Sequence, residues 1–290
     1  MPNAIQIENL EKSFGKVVAL NSISFKVKNA EIFGFLGPNG AGKTTTIRLM
    51  MDFIRPSSGK ISIFDQDSQQ FSVGLKKMIG YLPSDNQLYE NWTGNDHIKF
   101  SEKLNGKSEL TNDLINKLDY NPKLRVKHLS TGNKKKLALI LTLMHQPKLL
   151  ILDEPTNGLD PLLQNTFYKI IKEFQAKGIT IFMSSHNLPE IENVCDRVGI
   201  IKNGKMVAIE SIARLRSKHI YSAIIHFKDK INPAQLEEKN IQLISSNNKT
   251  VHLQIKGDIN NLLSKISKLK VLNIQIEPAS LEDIFLEFYK

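Results

Sequence analysis

Between an apolar run, Ile32-Phe-Gly-Phe-Leu36, and a helix-compatible segment, Thr44 to Met51, lies Gly37-Pro-Asn-Gly-Ala-Gly-Lys-Thr-Thr45. Strand, glycine loop and helix in that order are the setting that a phosphate-binding loop requires. Gly37, Gly40 and Gly42 let the backbone curl so that successive N–H groups face inward as an anion nest. The helix beginning near Lys43 points its positive end at the same spot. Lys43 is expected to reach the β- and γ-phosphates of a nucleoside triphosphate, and the Thr44 hydroxyl to ligate Mg²⁺.

The remaining composition permits this without suggesting it. At 290 residues, with 41 % hydrophobic and 23 % charged residues, the chain suits one large domain and one smaller one. No apolar run approaches the roughly 18 residues needed to span a bilayer, and Met1 to Gln6 shows neither the basic nor the apolar part of a signal peptide. The single cysteine, Cys195, excludes an internal disulfide and fits a buried structural thiol in a reducing cytosol. The net charge of +10 allows nucleic acid or an anionic membrane surface as partners. Its one dense run, Lys134 to Lys136, reads first as a solvated helix face.

Taken in order, Ala4 to Leu10 alternates as a strand, Glu11 to Val18 is turn-like, and Ser22 to Val27 alternates again. Arg55 to Lys60 is a turn, followed by short strands at Ile61–Phe64 and Ile79–Leu82. From about Asp85 the pattern turns to polar, helix-compatible segments. Leu137 to Met144 reads as a buried helix, Lys148 to Leu152 as an apolar strand of the parallel-sheet kind, and Leu162 to Ala176 as a helix stopped by Gly178. Ile179 to Met183 is a strand, and Asn203-Gly204 is a hairpin turn between two more. The alternation predicts a doubly wound α/β sheet.

Four further stretches carry chemistry. The strand at Leu149 ends in Asp153 and Glu154; in phosphoryl-transfer sites such carboxylates hold Mg²⁺ and orient the attacking water. Asp153 is therefore expected to bind the metal and Glu154 to polarise water. Leu129 to Asn133 precedes a helix, so Ser130 reads equally as an N-cap and as a phosphate contact. Asn157 to Asp160 is a turn after the carboxylates. His186 ends the next strand at the sheet edge where ligands bind.

Together these residues resemble the nucleotide-binding subunit of an ATP-binding cassette (ABC) transporter over roughly residues 3 to 215. Gly37, Pro38, Asn39, Gly40, Ala41, Gly42, Lys43, Thr44 and Thr45 match the Walker A motif, and Leu149 to Glu154 matches Walker B. Leu129 to Asn133 matches the signature, with Thr131 and Asn133 replacing the commoner Gly and Gln. Asn157 to Asp160 matches the D-loop, His186 the switch histidine, and Phe14 the aromatic residue that stacks on adenine. The resemblance implies that Glu154 and His186 are catalytic, that Ser130, Gly132 and Asp160 help to bind nucleotide, and that the signature serine completes the site of a second subunit. Where the family has a Gln that contacts Mg²⁺ and water, this chain has Ser84; a related group of antibiotic and multidrug exporters also varies there.

After residue 215 the strand and helix segments fall in the order βαββαβ, a ferredoxin-like α+β arrangement. A last helix from Ser280, with Ser280 and Asp283 as its capping box, resembles the ending of daunorubicin- and bacitracin-resistance exporter ATPases. The expected architecture is thus a phosphate-loop NTPase domain over residues 1–215, with a helical insertion at about 85–145, and an accessory domain over 216–290. The resemblance implies an ATPase using ATP and Mg²⁺, pairing with a second, identical subunit on the cytoplasmic face of a membrane and powering a separate transmembrane permease, with no nucleic acid as partner. The expected permease dock is the groove beside the helical insertion near Tyr89 and Trp92, two aromatics that read equally as an interface anchor and as buried within the insertion. The other reading is an ABC-type ATPase without a permease, acting on nucleic acid or ribosomes.

Overall fold

The computed structural model describes residues 2–216 and 220–278. The chain divides into two compact units, Met1–Ile209 and Glu210–Lys290. The first opens with a long hairpin, β1 (Asn3–Phe14) and β2 (Val17–Lys28), which joins β4 (Ser58–Ile63) and β5 (Gln66–Asp67) in an antiparallel sheet of order β2-β1-β4-β5. The turn-like reading of Glu11 to Val18 is corrected here: the strands continue through it and reverse only at Gly15-Lys16. Register shifts between Ile7 and Ser13, with Asn9 and Ser22 at positive φ, break the strict alternation that marks a strand in sequence.

Between these strands come β3 (Ile32–Leu36) and α1 (Lys43–Met50), and after them α2 (Ser72–Lys76) and β6 (Ile79–Leu82). The helical insertion follows as α3 (Gly94–Asn105), α4 (Thr111–Lys117), a 3₁₀ turn at Val126–His128 and α5 (Thr131–Leu143). Thr93 and Asp96 form a reciprocal capping box that starts α3. The buried stretch read at Leu137 to Met144 is the latter part of α5, whose first turns hold the lysine run and whose N-cap is Ser130, as the N-cap reading of that serine expects. Then come β7 (Leu149–Asp153), α6 (Pro161–Ala176), β8 (Thr180–Ser185), α7 (Leu188–Val194), β9 (Arg197–Lys202) and β10 (Lys205–Ser211).

The second sheet has the order β10-β9-β3-β8-β7-β6. Its pairs β9–β3, β3–β8, β8–β7 and β7–β6 are parallel. Every residue of β3, β7 and β8 is buried, as expected of apolar strands covered on both faces. Phe25, Phe33, Phe35 and Phe182 pack ring against ring between the two sheets, at centroid separations of 5.3 to 6.0 Å. Asn203 (φ 50°) and Gly204 (φ 72°) make the two-residue turn from β9 to β10. Parallel register sets Asp153 beside Ser184 and Leu36 beside Ser185. The carboxyl ends of β7, β8 and β3 therefore share one edge.

The second unit contains α8 (Ile212–Arg216), β11 (Ile220–Phe227), β12 (Ile241–Asn247), β13 (Thr250–Lys256), α9 (Asn260–Ile266) and β14 (Val271–Pro278). Its antiparallel sheet runs β12-β13-β11-β14, the strand order 2-3-1-4 of a ferredoxin-like module. Ala223, Ile225, Phe227, Val251, Leu253 and Ile255 form the core under Leu236, Leu262 and Ile266. The helix expected from Pro233 to Lys239 is a single 3₁₀ turn at Pro233–Leu236. The last helix expected from Ser280 lies outside the described residues.

Candidate active site

Each side chain of the site is delivered by the end of a strand. β3 leads into Gly37, where an added Cβ would lie 2.3 Å from the carbonyl of Ile201, so no side chain fits. Gly42 caps α1 at φ 111°, a conformation that favours glycine. The loop closes on its own lysine: Lys43 Nζ donates to the carbonyls of Gly37 at 2.7 Å and Pro38 at 3.3 Å.

The loop then meets the two carboxylates. Lys43 Nζ lies 3.1 Å from Glu154 Oε1, and both side chains are buried. The Thr44 hydroxyl donates to Asp153 Oδ2 at 2.9 Å. His186 Nδ1 is 2.8 Å from the other oxygen of Glu154. These groups open on a cleft of about 350 Å³, lined by Ala19, Pro38, Asn39, Gly40, Gly42, Lys43, Thr44, Thr45, Ser84, Glu154, Asn157 and His186. Backbone N–H groups and a lysine suit phosphate oxygens, and the Thr44–Asp153 oxygen pair is the hard donor set that Mg²⁺ takes.

The other expected residues stand outside the cleft lining. Phe14 is half exposed at the end of β1, with Lys12 Nζ 4.9 Å from its ring centroid. Ser130 Oγ caps α5 by accepting from the Asn133 N–H at 3.3 Å, and Asp160 caps α6 by accepting from Leu163 N–H at 3.0 Å. Gly132 faces the Gly158 carbonyl, which a Cβ there would meet at 3.6 Å. Signature and D-loop thus adjoin each other, and of their residues Asn157 lines this chain's own cleft.

A model of the family described as "ABC transporter" matches residues 20–157. The chain is 33 % identical to the linearmycin resistance ATP-binding protein LnrL of Bacillus subtilis (strain 168), over 97 % of each chain. This chain belongs to the ABC transporter family. It is similarly 32 % identical to the bacitracin transport ATP-binding protein BcrA of Bacillus licheniformis, over 99 % of this chain and 97 % of that one. Among solved structures it superimposes on the ATP-binding subunit of an ABC transporter with a TM-score of 0.68 at 28 % identity, covering 74 % of this chain and 92 % of that one. The ABC subunit is an ATPase that binds and hydrolyses ATP, and no helix among its described residues is long and apolar enough to cross a membrane.

Three side chains behind the carboxylates of this ATPase escape a motif-based reading. Ser184 Oγ donates to Asp153 Oδ1 at 2.6 Å and accepts the Glu154 N–H at 3.0 Å. Glu190 is buried and accepts from Ser185 Oγ at 2.6 Å; burial pushes its carboxyl from 4.5 up to about 7 against the hydrogen bonds from Ser185 and Thr156. Lys135 corrects the solvated-face reading of the lysine run: it is 3 % exposed and donates to the Glu154 carbonyl. The signal was available in its spacing. Lys135 precedes the buried Leu139 by four residues, which places it on the inner face of α5.

Proposed function

We propose that the chain powers a separate transmembrane permease that exports an antibiotic-like or lipid-like compound, and that it works as a pair of identical subunits. The reading rests above all on the gathering of Lys43, Thr44, Glu154 and His186 around one cleft, with Asp153 buried behind it and bonded to Thr44. Both full-length relatives above carry resistance or transport of an antibiotic in their names. The ABC-type ATPase acting on nucleic acid or ribosomes is not favoured.

In this reading the N–H groups from Gly37 to Thr45 and Lys43 hold the β- and γ-phosphates, and Phe14 stacks on the adenine. Thr44 and Asp153 hold Mg²⁺, which when bound would neutralise charge on the phosphate oxygens. Glu154 polarises the attacking water, and His186 holds the carboxylate through its second oxygen. Ser130, Gly132 and Asp160 serve the nucleotide of the opposite subunit, so two ATP molecules are sandwiched about a two-fold axis. Residues 1–215 form the ATPase domain and 216–290 an accessory domain.

The permease docks on the helical insertion. Tyr89 is exposed and stacks 4.5 Å from half-buried Trp92, which packs edge-on against Phe100, itself exposed on α3. An aromatic cluster of this kind suits an interface anchor. The working location is then the cytoplasmic face of the membrane. Fractionation with and without co-expression of a neighbouring permease tests this: the chain should sediment with membranes only when the permease is present. Permease-independent binding to anionic vesicles or to DNA at physiological salt would contradict it.

A further inference from the structure

Glu154 holds its carboxylate in an unusual way. Its φ is 48°, in the left-handed region that an L residue other than glycine rarely adopts and keeps only where its surroundings enforce it. The enforcing contacts can be named. On one side the Glu154 N–H is taken by Ser184 Oγ at 3.0 Å. On the other its carbonyl accepts from the Asn157 N–H at 3.3 Å and from Lys135 Nζ at 3.3 Å. Ser184 and Asn157 belong to the strand and turn that any such site would possess. Lys135 comes from elsewhere in the chain, from the first turns of α5, the helix capped by Ser130.

Burying a lysine is costly unless its charge is paired and its ammonium hydrogen-bonded. The hydrogen bond of Lys135 among the described residues is the one to this carbonyl. Burial lowers its ammonium to about 8, against the attraction of Asp153, Glu154 and Glu190. Those three carboxylates, from β7, its following turn and α7, are the charged groups that face it. A cation lodged among them and bonded to the backbone is placed to fix the turn, not to touch ATP: Lys135 is absent from the cleft lining.

We infer that Lys135 is a positioning residue for hydrolysis, its ammonium locking the left-handed turn that aims the Glu154 carboxylate at the cleft and tying that turn to the helix capped by Ser130. The inference rests on the proposed role of Glu154. It adds a consequence: a shift of α5 when Ser130 meets the other subunit's nucleotide is passed to the catalytic carboxylate through one side chain. The two sites of the pair then sense each other inside each subunit as well as across the interface.

The test uses the purified full-length chain, with Lys135→Met, which keeps most of the volume and removes the donor, and Lys135→Gln, which keeps an N–H donor. Glu154→Gln is assayed beside them. Lys135→Met should lower kcat about tenfold or more while leaving the Kd for a fluorescent ATP analogue and the KM for ATP within about twofold. Lys135→Gln should recover a large part of the lost kcat. A merely structural lysine would shift Kd, KM and the thermal midpoint together, and Gln would rescue no better than Met; either result overturns the inference. So does wild-type kcat in Lys135→Met while Glu154→Gln is inactive. Turnover retained in Glu154→Gln would instead remove the reading on which the inference rests. If Lys135→Met does not fold, the comparison of Lys135→Gln with wild type decides: kcat unchanged in a chain with weakened ATP binding contradicts it.

Discussion

Lys43 Nζ stands 3.1 Å from Glu154 Oε1 although the two residues leave different strands of the sheet, with β8 between them. The contact joins the phosphate loop to the carboxylate that follows β7, and both partners are buried. Removing one member of a buried pair leaves the other charge uncompensated, at about 3–5 kcal/mol. Lys43→Met should therefore lose ATP binding and also unfold at lower urea. Lys43→Met/Glu154→Gln should regain part of that stability without regaining binding. A double variant no more stable than the single one, by urea midpoint, would show that the pair carries no such energy.

The arrangement of Ser130 outside its own cleft leads to a complementation test. Ser130→Ala and Glu154→Gln chains should each hydrolyse ATP poorly alone. Mixed in equal amounts under exchange they should recover activity, because half of the pairs would hold one intact composite site, about a quarter of the wild-type number. ATPase activity of the mixture that stays at the mean of the two separate chains would exclude a shared site.

Ser84 lines the cleft, and its side chain is about two bonds shorter in reach than a glutamine's. A contact through a bridging water is nearly as favourable enthalpically as a direct one, and Mg²⁺ readily keeps water ligands. Ser84→Ala should cost less than about tenfold in turnover, or about 1.4 kcal/mol, across a Mg²⁺ titration. A loss as deep as that of Glu154→Gln would make Ser84 a direct ligand.

Glu190 gives a dependence on pH. Its carboxyl is raised from 4.5 to about 7 in the folded chain, chiefly by burial. Between those values the folded state binds more protons than the unfolded state, so its contribution to stability is largest below about 4.5 and is lost as pH rises through 7. The loss reaches at most about 3 kcal/mol. Glu190→Gln removes it, so the thermal midpoint of the variant relative to wild type should climb from pH 5 to pH 8. A difference that is flat or falls over that range would mean that Glu190 stays ionised throughout.

What could be read from the residues divides by physics. The phosphate loop was legible because glycine conformation, lysine and hydroxyl must recur at fixed spacing, and the apolar strands β3 and β7 because burial on both faces leaves no polar alternation. The first hairpin was cut short because bulges near Asn9 and Lys12 disturb its period. Lys135 was misread because three lysines in a row look solvated one at a time, and only helical phase separates the inner one. Glu190 and Ser184 carry no motif: their parts follow from strand register and from which atoms happen to face each other, and only coordinates show that.

The central claim is that Glu154 polarises the attacking water in a site that otherwise only binds. Steady-state turnover and ATP binding of Glu154→Gln test it together. With the Lys43 ammonium still held by Gly37 and Pro38, the variant should bind ATP as the wild type does. It should lose turnover on the order of 10²–10⁴-fold and collect as an ATP-bound dimer on gel filtration. Wild-type turnover in a variant that binds ATP normally would contradict the account.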